Sequence, residues 1–397
     1  MFKIQTLNSI APVGLSQFPA ESYQVASEIT DPDAILVRSA KMIGMTLPQS
    51  VRAVGRAGAG VNNIPVAELT KLGIPVLNTP GANANAVREL VIAGMLLASR
   101  NICQAWNYVG HLNLGQAELD KQVEQDKKQF AGFELLGKTL GLVGLGAVGV
   151  KVANAAIDLG MRVIGYDPTI SVNRAWELSA EAQQAYSLDS LLAESDFISF
   201  HVPLTDDTKG MINAARFQMM KEGVVLLNFA RDGILDNQAL LAALQAKKVL
   251  CYVNDFPTVD LMSHPSVISL PHLGASTREA EENCAIMIVK QLRSFLENGN
   301  ISNAVNFPTV EMPRNVHEWR LAIVNANVPN MVAQMSSKLA AAGLNITSLL
   351  NKSRDDIAYT LIDVNKEADA ACLKEIAAIP GVIQVRQIKA RALPYQE

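Results

Sequence analysis

From residue 34 onward, short apolar runs alternate with stretches of helical pattern, and this alternation restricts the chain to a few folds. Three strands are predicted first, at Ala34–Arg38, Val51–Gly55 and Ile74–Asn78. Between the last two, Pro65–Gly73 has the pattern of a helix that begins at a proline and ends at a glycine. An apolar helix follows from about Ala84 to Arg100. Strands that alternate with helices predict a parallel sheet covered by helices on both faces.

The same alternation restarts after residue 138 and predicts a second α/β block. Its strands are predicted at Thr139–Val143, Arg162–Tyr166, Phe197–His201, Val224–Asn228 and Val267–Leu270. A long helix is predicted from about Ser276 to Asn298 and a proline-containing linker over Ile301–Asn315. From Trp319 to Ile388 the predicted elements follow the order βαββαβ, which is typical of a ferredoxin-like domain. The charged stretch Gly115–Phe130 between the blocks is either a solvated surface segment or an arm that reaches a second subunit.

Composition excludes several classes of protein. A chain of 397 residues, 49% of them hydrophobic, has material for two or three domains with separate cores. The net charge of −4 and the absence of a basic stripe argue against nucleic-acid binding, and the apolar run Leu90–Ala98 is too short to span a membrane. The four scattered cysteines form no metal-binding or disulfide pattern, and the N-terminus has no signal-peptide pattern. We therefore expect a cytoplasmic protein.

A glycine-rich segment follows the first strand of the second block directly. Gly144, Gly146 and Gly149 form the pattern G-x-G-x-x-G, and Asp167 stands 18 residues later at the end of the next strand. In such a turn the glycines allow a tight bend and a close approach of backbone to a pyrophosphate, and the acid binds the adenine ribose. Because an acid would repel a 2′-phosphate, the pattern favours NAD over NADP. The alternative is a glycine-rich turn without a ligand.

Three later loops carry candidate catalytic side chains. Arg231 follows a predicted buried strand, where parallel sheets bind ligands, and His272 follows another strand and precedes a helix. Asp255 and Asp260 lie between them in the sequence. Taken singly, an arginine of this kind is more often a surface ion-pair residue, and a lone histidine is more often structural.

Eight segments, taken together and in this order, resemble motifs of the D-2-hydroxyacid dehydrogenase family. They are Val37–Ser39, Gly55–Asn63, Asn78–Asn83, Gly144–Gly149, Gly165–Pro168, His201–Leu204, Asn228–Arg231 and Pro271–Thr277. The resemblance covers nearly the whole chain. It implies two doubly wound, Rossmann-like α/β domains with the active site in their cleft. The substrate domain would comprise residues 1–90 and 280–305, and the NAD-binding domain residues 91–279. A linker, 306–317, would precede a tail, 318–397, that resembles a ferredoxin-like ACT regulatory domain.

The resemblance also implies an activity, the NAD-dependent oxidation of D-3-phosphoglycerate at C2, which is the first step of L-serine biosynthesis. Arg231 would hold the α-carboxylate and polarise the C2 oxygen, and His272 would accept the hydroxyl proton. The family's third catalytic residue is a glutamate beside the histidine. An ungapped count from Asp255 replaces it by Asp260, whereas an alignment on the next phenylalanine gives Val259; we favour Asp260, which keeps the charge.

Further contacts follow from the same resemblance. The cofactor-binding residues would be Gly144, Gly146, Ala147, Val148, Gly149, Asp167, Val202, Pro203, Phe229, Ala230, Arg231, Asp255, His272, Gly274 and Ala275. Val202 and Pro203 would lie under the adenine, Phe229 and Ala230 would line the nicotinamide ring, and Asp255 would reach its amide. The substrate-binding residues would be Arg38, Ser39, Arg56, Ala57, Gly58 and Ala59. Arg38 and Arg56, with Lys41 nearby, would bind the substrate phosphate, unless they are plain surface cations.

Other functions remain open on the sequence alone. They are a related dehydrogenase for an unphosphorylated acid, such as D-glycerate, hydroxypyruvate or D-lactate, and a noncatalytic NADH-binding regulator. We expect a homo-oligomer, a dimer or tetramer. The tail is either a dimerisation module or a site for the effector L-serine, although Asn330 replaces a glycine of the ACT turn. Because the catalytic motifs all precede Thr277, removal of the chain after Pro313 is expected to leave the catalytic site intact.

Overall fold

Three β-sheets organise the chain in the computed structural model, which describes residues 1–315 and 317–390. The contacts divide the chain into two units, one formed by Met1–Ala82 together with the chain from Glu281 onward, the other by Asn83–Ala280. The predicted linker includes Val316 and the predicted tail domain includes residues 391–397, and these residues lie outside the described ones.

The first sheet has five parallel strands in the order β2-β1-β3-β4-β5. The elements are β1 (Phe2–Thr6), α1 (Pro12–Leu15), β2 (Tyr23–Ala26), β3 (Ala34–Val37), β4 (Ala53–Arg56), α2 (Val66–Lys71) and β5 (Val76–Leu77). The three predicted strands of this block and its helix are confirmed within a few residues. β1 and β2 were not predicted, because their apolar and polar residues alternate and only Ile4 and Tyr23 are buried.

The second sheet has seven parallel strands in the order β12-β11-β10-β9-β6-β7-β8. The elements of this unit are α3 (Ala84–Arg100), α4 (Ile102–Gly110), α5 (Gln116–Asp126), β6 (Thr139–Val143), α6 (Ala147–Asp158), β7 (Arg162–Tyr166), α7 (Val172–Glu177), β8 (Gln183–Gln184), α8 (Leu188–Glu194), β9 (Phe197–Phe200), α9 (Ala214–Met219), β10 (Val224–Asn228), α10 (Asn237–Gln245), β11 (Val249–Asn254) and β12 (Val267–Ser269). Helices bury apolar side chains on both faces of the sheet. The predicted α/β, Rossmann-like architecture is confirmed.

The charged stretch Gly115–Phe130 folds as α5 followed by a short 3₁₀ helix, Lys127–Phe130. Neither α4 nor α5 contains a buried residue, and the Trp106 side chain on α4 is 77% exposed. The segment is therefore a surface feature of the chain, and its role as an arm toward a second subunit stays a prediction.

The C-terminal sheet is antiparallel, with strand order β14-β15-β13-β16. Its elements follow the long helix α11 (Arg278–Asn298) and are β13 (Trp319–Ala326), α12 (Met331–Ala341), β14 (Ile346–Arg354), β15 (Ile357–Val364), α13 (Ala370–Ala377) and β16 (Val382–Ile388). The predicted βαββαβ order is confirmed.

Both faces of this sheet are buried. One packs on α12 and α13, while the other places Tyr359 and Leu361 in a core shared with Leu292 of α11 and with the first sheet. The fully buried Arg320 pairs with Asp363 at 2.6 Å, and its guanidinium also donates to the carbonyls of three residues, Asn298, Met312 and Pro313. The C-terminal sheet is thus continuous with the core of its unit. Removing it would expose apolar surface of the first unit, and the expectation that the catalytic site stays intact without the tail stays a prediction.

In residues 1–315 and 317–390, no helix is both long enough and apolar enough to cross a membrane.

Candidate nucleotide and substrate sites

The second sheet reverses its strand order between β6 and β9, and such a reversal opens a crevice at the carboxyl ends of the two strands. Gly144 follows β6 and His201 follows β9. Gly144 has a φ of +97°, and a Cβ on it would lie 2.8 Å from the carbonyl oxygen of His201. Only glycine fits this position, for its conformation and for the available space.

The two other glycines of the turn have different surroundings. A Cβ on Gly149 would lie 2.1 Å from the carbonyl oxygen of Gly144, so Gly149 lets α6 pack against the turn. A Cβ on Gly146 would meet no described atom within 4 Å. No described side chain caps α6, which leaves backbone N–H groups of its first turn, at Ala147 and Val148, for an anion.

Asp167 is fixed next to this turn at the end of β7. Its Oδ2 accepts the N–H of Leu145 at 2.8 Å, and its Oδ1 accepts the N–H of Thr169 at 2.9 Å. The carboxylate is half-buried. A negative charge therefore stands beside the anion-binding helix start, as a ribose-binding acid must.

His201 is a residue of this crevice that the sequence motif contained but to which no role was assigned. Its Nε2 lies 2.9 Å from Ser199 Oγ, and burial lowers the pKa of the imidazole to about 4. The ring is thus neutral near pH 7 and adds no charge to the turn. Val202 follows it half-buried and Pro203 is exposed, and Val202 Cγ1 would be 3.0 Å from a Cβ on Gly144, which places the Val202 side chain at the turn.

Asn228 shapes the loop that carries Arg231. It is the last residue of β10 and 1% exposed; its Nδ2 donates to the Arg231 carbonyl at 2.8 Å, and its Oδ1 accepts the Ala230 N–H at 3.2 Å. The Arg231 guanidinium donates to the Ala230 carbonyl at 2.6 Å, and in the described part of the chain no carboxylate pairs with it. Asn228 was missed as a positioning residue, although a polar residue that ends an apolar strand is a readable signal.

Phe229 is placed differently from the prediction that it lines the nicotinamide ring. Its side chain is 6% exposed and packs in the core against α3, where a Cβ on Gly94 would lie 3.0 Å from its ring. At the end of β10, Phe229 can therefore contact a ligand with its backbone but not with its ring. The Ala230 side chain is half-buried at the edge of the core on the other face of the sheet.

Asp255 holds the loop that carries His272. The aspartate is 1% exposed, and its two carboxylate oxygens accept the N–H groups of Leu273 and Gly274, each at 2.7 Å. His272 has a φ of +58°, and its exposed imidazole lies 5.0 Å from the ring of Phe256. Asp255 is thus a positioning residue, and a contact between it and a nicotinamide amide stays a prediction. Ala275 follows, half-buried.

The structure does not bring Asp260 to His272. Asp260 is exposed in the turn that begins at Thr258, next to Val259, which is 84% exposed. Neither a hydrogen bond nor an ion pair joins Asp260 to the imidazole in the structure as described. Of the three predicted catalytic residues, Arg231 and His272 occupy loops at the carboxyl ends of strands in one sheet, and Asp260 does not join them.

The first sheet has its own reversal of strand order, between β1 and β3. Asn8, which follows β1, accepts the Arg38 N–H at 2.9 Å and donates to Ser39 Oγ at 3.2 Å. Two predicted substrate residues therefore lie where a parallel sheet offers a crevice. The Arg38 guanidinium is 2.5 Å from Glu281 Oε1 in a part-exposed ion pair.

Arg56 ends β4 beside these residues. Its Nε donates to the Arg38 carbonyl at 3.2 Å. Gly58 has a φ of +150°, and a Cβ on it would lie 2.0 Å from Arg56 Nη1, so the glycine makes room for the guanidinium. Ala57 is buried and Ala59 half-buried in the same loop. The structure thus gathers all six predicted substrate residues around the ends of β3 and β4.

Comparison with known proteins agrees with the architecture of the second unit. Residues 92–274 match the D-isomer specific 2-hydroxyacid dehydrogenase, NAD binding domain. This region is an NAD-binding domain. The open space at Gly146, the uncapped start of α6 and the fixed Asp167 fit a dinucleotide there, so Gly144–Gly149 would hold the pyrophosphate and Asp167 the adenine ribose.

Similarity to curated proteins extends beyond that domain. D-3-phosphoglycerate dehydrogenase of Archaeoglobus fulgidus is 38% identical over 72% of this chain and 54% of its own length. The Bacillus subtilis enzyme of the same name is 38% identical over 70% and 52%. The chain therefore spans about half the length of the curated relatives it matches. Among solved structures, NAD⁺-bound 3-phosphoglycerate dehydrogenase of Entamoeba histolytica has a TM-score of 0.59 and 25% identity, over 77% of this chain and 98% of the other.

Proposed function

We propose that this protein is an NAD-dependent oxidoreductase that oxidises D-3-phosphoglycerate to 3-phosphooxypyruvate, the first step of L-serine biosynthesis. The observation that carries the proposal is the pair of loops in the NAD-binding domain. One presents a guanidinium without a described carboxylate partner, Arg231, and the other presents an exposed imidazole, His272. The similarity to curated D-3-phosphoglycerate dehydrogenases supports this choice of substrate.

Each residue has a role that its chemistry allows. Arg231 would bind the α-carboxylate with its forked donors and draw electron density from the C2 oxygen, while Asn228 holds its loop in place. His272 would accept the C2 hydroxyl proton at a ring nitrogen, and Asp255 keeps its loop fixed. Bound NAD⁺ supplies the hydride acceptor. Asp260 is given no role in these steps, because it is exposed and no described contact joins it to the imidazole.

The substrate phosphate would be bound by Arg56, with Arg38 and Ser39 beside it. Arg56 is the stronger candidate, because Gly58 leaves space for its guanidinium. Arg38 would have to exchange Glu281 for the phosphate, which costs little because part-exposed ion pairs contribute about 0–1 kcal/mol.

The Arg38–Glu281 ion pair favours a second candidate function, oxidation of an unphosphorylated 2-hydroxy acid, because it removes a cation from the phosphate site. The deciding experiment is a kcat/KM panel with NAD and four substrates: D-3-phosphoglycerate, D-glycerate, D-lactate and D-2-hydroxyglutarate. We expect D-3-phosphoglycerate to be preferred by at least tenfold. A preference for an unphosphorylated acid would establish the second candidate, and tight NADH binding without any turnover would indicate a noncatalytic regulator.

We also propose that the C-terminal βαββαβ unit is an ACT domain. Its turn before α12 supports this, because Asn330 adopts a φ of +70° and so takes the left-handed conformation of the glycine it replaces. Whether L-serine binds there is decided by titrating the activity with serine. An unchanged rate up to millimolar serine would leave a dimerisation module.

A homo-oligomer, cytoplasmic in location, completes the proposal. The outer strand β14 supports pairing between copies, because it is nine residues long and mostly exposed. Leu349→Lys on β14 should then lower the mass measured by sedimentation, whereas Ile383→Lys on the opposite edge strand β16 is the matched control; the two side chains are 38% and 37% exposed.

A further inference from the structure

A cavity of about 400 Å³ lies beside the C-terminal sheet in the first unit. Its walls come from Gln49–Arg52, which precede β4, from Phe295 of α11, from Tyr359 of β15 and from Gln384–Arg386 of β16. This volume is within the range of pockets that hold small molecules. None of the residues assigned to the nucleotide or the substrate lines it, so it would be a separate site.

The charge in this cavity is positive. Arg52 and Arg386 both line it, and none of its lining residues within the described chain is Asp or Glu. Arg52 Nη2 lies 3.4 Å from Asp33 Oδ1, a long ion pair that compensates one of the two charges in part, and its side chain is 44% exposed. The second guanidinium, that of Arg386, forms no ion pair with a carboxylate in the described structure, and Asp33 acts on it only as a nearby charge.

Arg386 is held in place by packing and by neutral groups. Its Nη2 donates to the carbonyl of Phe295 at 2.7 Å and its Nη1 to that of Leu296 at 3.3 Å. The guanidinium carbon lies 4.5 Å from the centre of the Phe295 ring. Burial lowers the pKa of this guanidinium with a contribution from the nearby Arg52, and a hydrogen bond with Tyr359 and the charge of Asp33 oppose the shift without cancelling it. An anion would therefore meet a preorganised cation whose charge is poorly compensated.

We infer that this cavity binds a small dianion, a phosphate or dicarboxylate, between the guanidiniums of Arg52 and Arg386. Two guanidiniums match the charge and the planar oxygen geometry of such an anion. The bound anion would join β16 of the C-terminal sheet to the start of β4, the strand that ends at Arg56. The site would thus link the C-terminal sheet to Arg56, a predicted substrate residue, through the four residues of β4.

The test uses the full chain and calorimetric titration with inorganic phosphate, and in a separate arm with malonate, at constant ionic strength. Arg52→Gln removes one cation at a part-exposed position, and we expect it to weaken one binding event by about tenfold or more. Arg174→Gln is the matched control, because Arg174 forms a surface ion pair with Glu177 in the other unit and should leave the titration unchanged.

A second variant keeps the test decisive if Arg52→Gln fails to fold. Gln49→Glu places a carboxylate at the exposed rim of the cavity and should also weaken that binding event, whereas Gln184→Glu on the exposed β8 should not. Anion binding at the nucleotide turn or at Arg56 would be the same in all four variants. Equal affinity and stoichiometry for wild type, Arg52→Gln and Gln49→Glu would overturn the inference. Loss with phosphate alone or malonate alone would support it and identify the anion class.

Discussion

The two parallel sheets place their candidate sites by the same topological rule but build them from different atoms. Each sheet reverses its strand order once, between β6 and β9 in one and between β1 and β3 in the other. At the first reversal the proposed binding groups are backbone N–H groups exposed by glycines. At the second the proposed binding groups are the side chains of Arg38 and Arg56, which already bond to Glu281 and to a carbonyl. A site of backbone atoms is ready for its ligand, whereas a site of side chains must exchange partners to bind one.

The largest expected effect lies in the loops of the NAD-binding domain. His272→Ala should lower kcat by about 10²–10⁴, the usual contribution of a positioned general base. Because no described contact joins Asp260 to the imidazole, we expect Asp260→Asn to keep kcat within about threefold of wild type. A loss with Asp260→Asn as large as that of His272→Ala would instead show that the aspartate reaches the histidine during turnover. His111→Ala, on an exposed turn, is the control.

Cofactor choice gives the next largest effect. Asp167 should make kcat/KM with NAD at least about 10²-fold higher than with NADP, because bringing a fixed carboxylate against a phosphate costs several kcal/mol. Asp167→Ser should bring the two cofactors within about tenfold. Equal use of both cofactors by the wild-type protein would remove the ribose-binding role of Asp167.

Gly146→Ala tests the backbone-built site directly. The φ of Gly146 is −73°, which alanine adopts, and a Cβ there meets no described protein atom, so the variant should fold normally. It should nonetheless weaken NADH binding by about tenfold or more, because the methyl group would occupy the space of the pyrophosphate. Gly115→Ala, whose Cβ also meets nothing, serves as control. Unchanged NADH affinity in Gly146→Ala would place the dinucleotide elsewhere.

The smallest of these effects belongs to the side-chain-built site. Arg56→Gln should raise KM for D-3-phosphoglycerate by about tenfold and leave KM for D-glycerate within twofold, because only the first presents a dianion. Arg38→Gln should have a weaker effect of the same kind, since Glu281 already compensates its charge. If both substrates lose affinity equally, the arginines support the loop and do not bind phosphate.

The same contrast explains how much the sequence could predict. The sequence predicted the bounds of four elements to the residue: the helix Ala84–Arg100 and the strands Thr139–Val143, Arg162–Tyr166 and Val224–Asn228. The strands were predictable because buried parallel strands are continuous apolar runs. The glycine turn was predictable because glycine spacing encodes backbone shape.

Features that depend on distant partners were not predictable. The strand Val249–Asn254 was not predicted from the sequence. Its strand conformation depends on backbone pairing with its parallel neighbours, β10 and β12. The two hydrogen bonds from the His272 loop to Asp255 span 18 and 19 residues, and no local sequence pattern predicts them. The burial of Phe229 under Gly94 depends on a helix more than a hundred residues earlier.

The discontinuous first unit has a consequence for synthesis of the chain. Leu36 of the first sheet shares a core with Leu292 of α11 and with Tyr359, which the ribosome adds only after the whole NAD-binding domain. At a translation rate of about 5–20 residues per second, the apolar face of that sheet stays exposed for roughly ten to fifty seconds before α11 and β15 are synthesised. During this interval the nascent chain exposes apolar surface, and we expect chaperones that act on nascent chains to bind it. A translational pause before α11 would prolong that exposure and promote aggregation, although every codon up to that point had been read correctly.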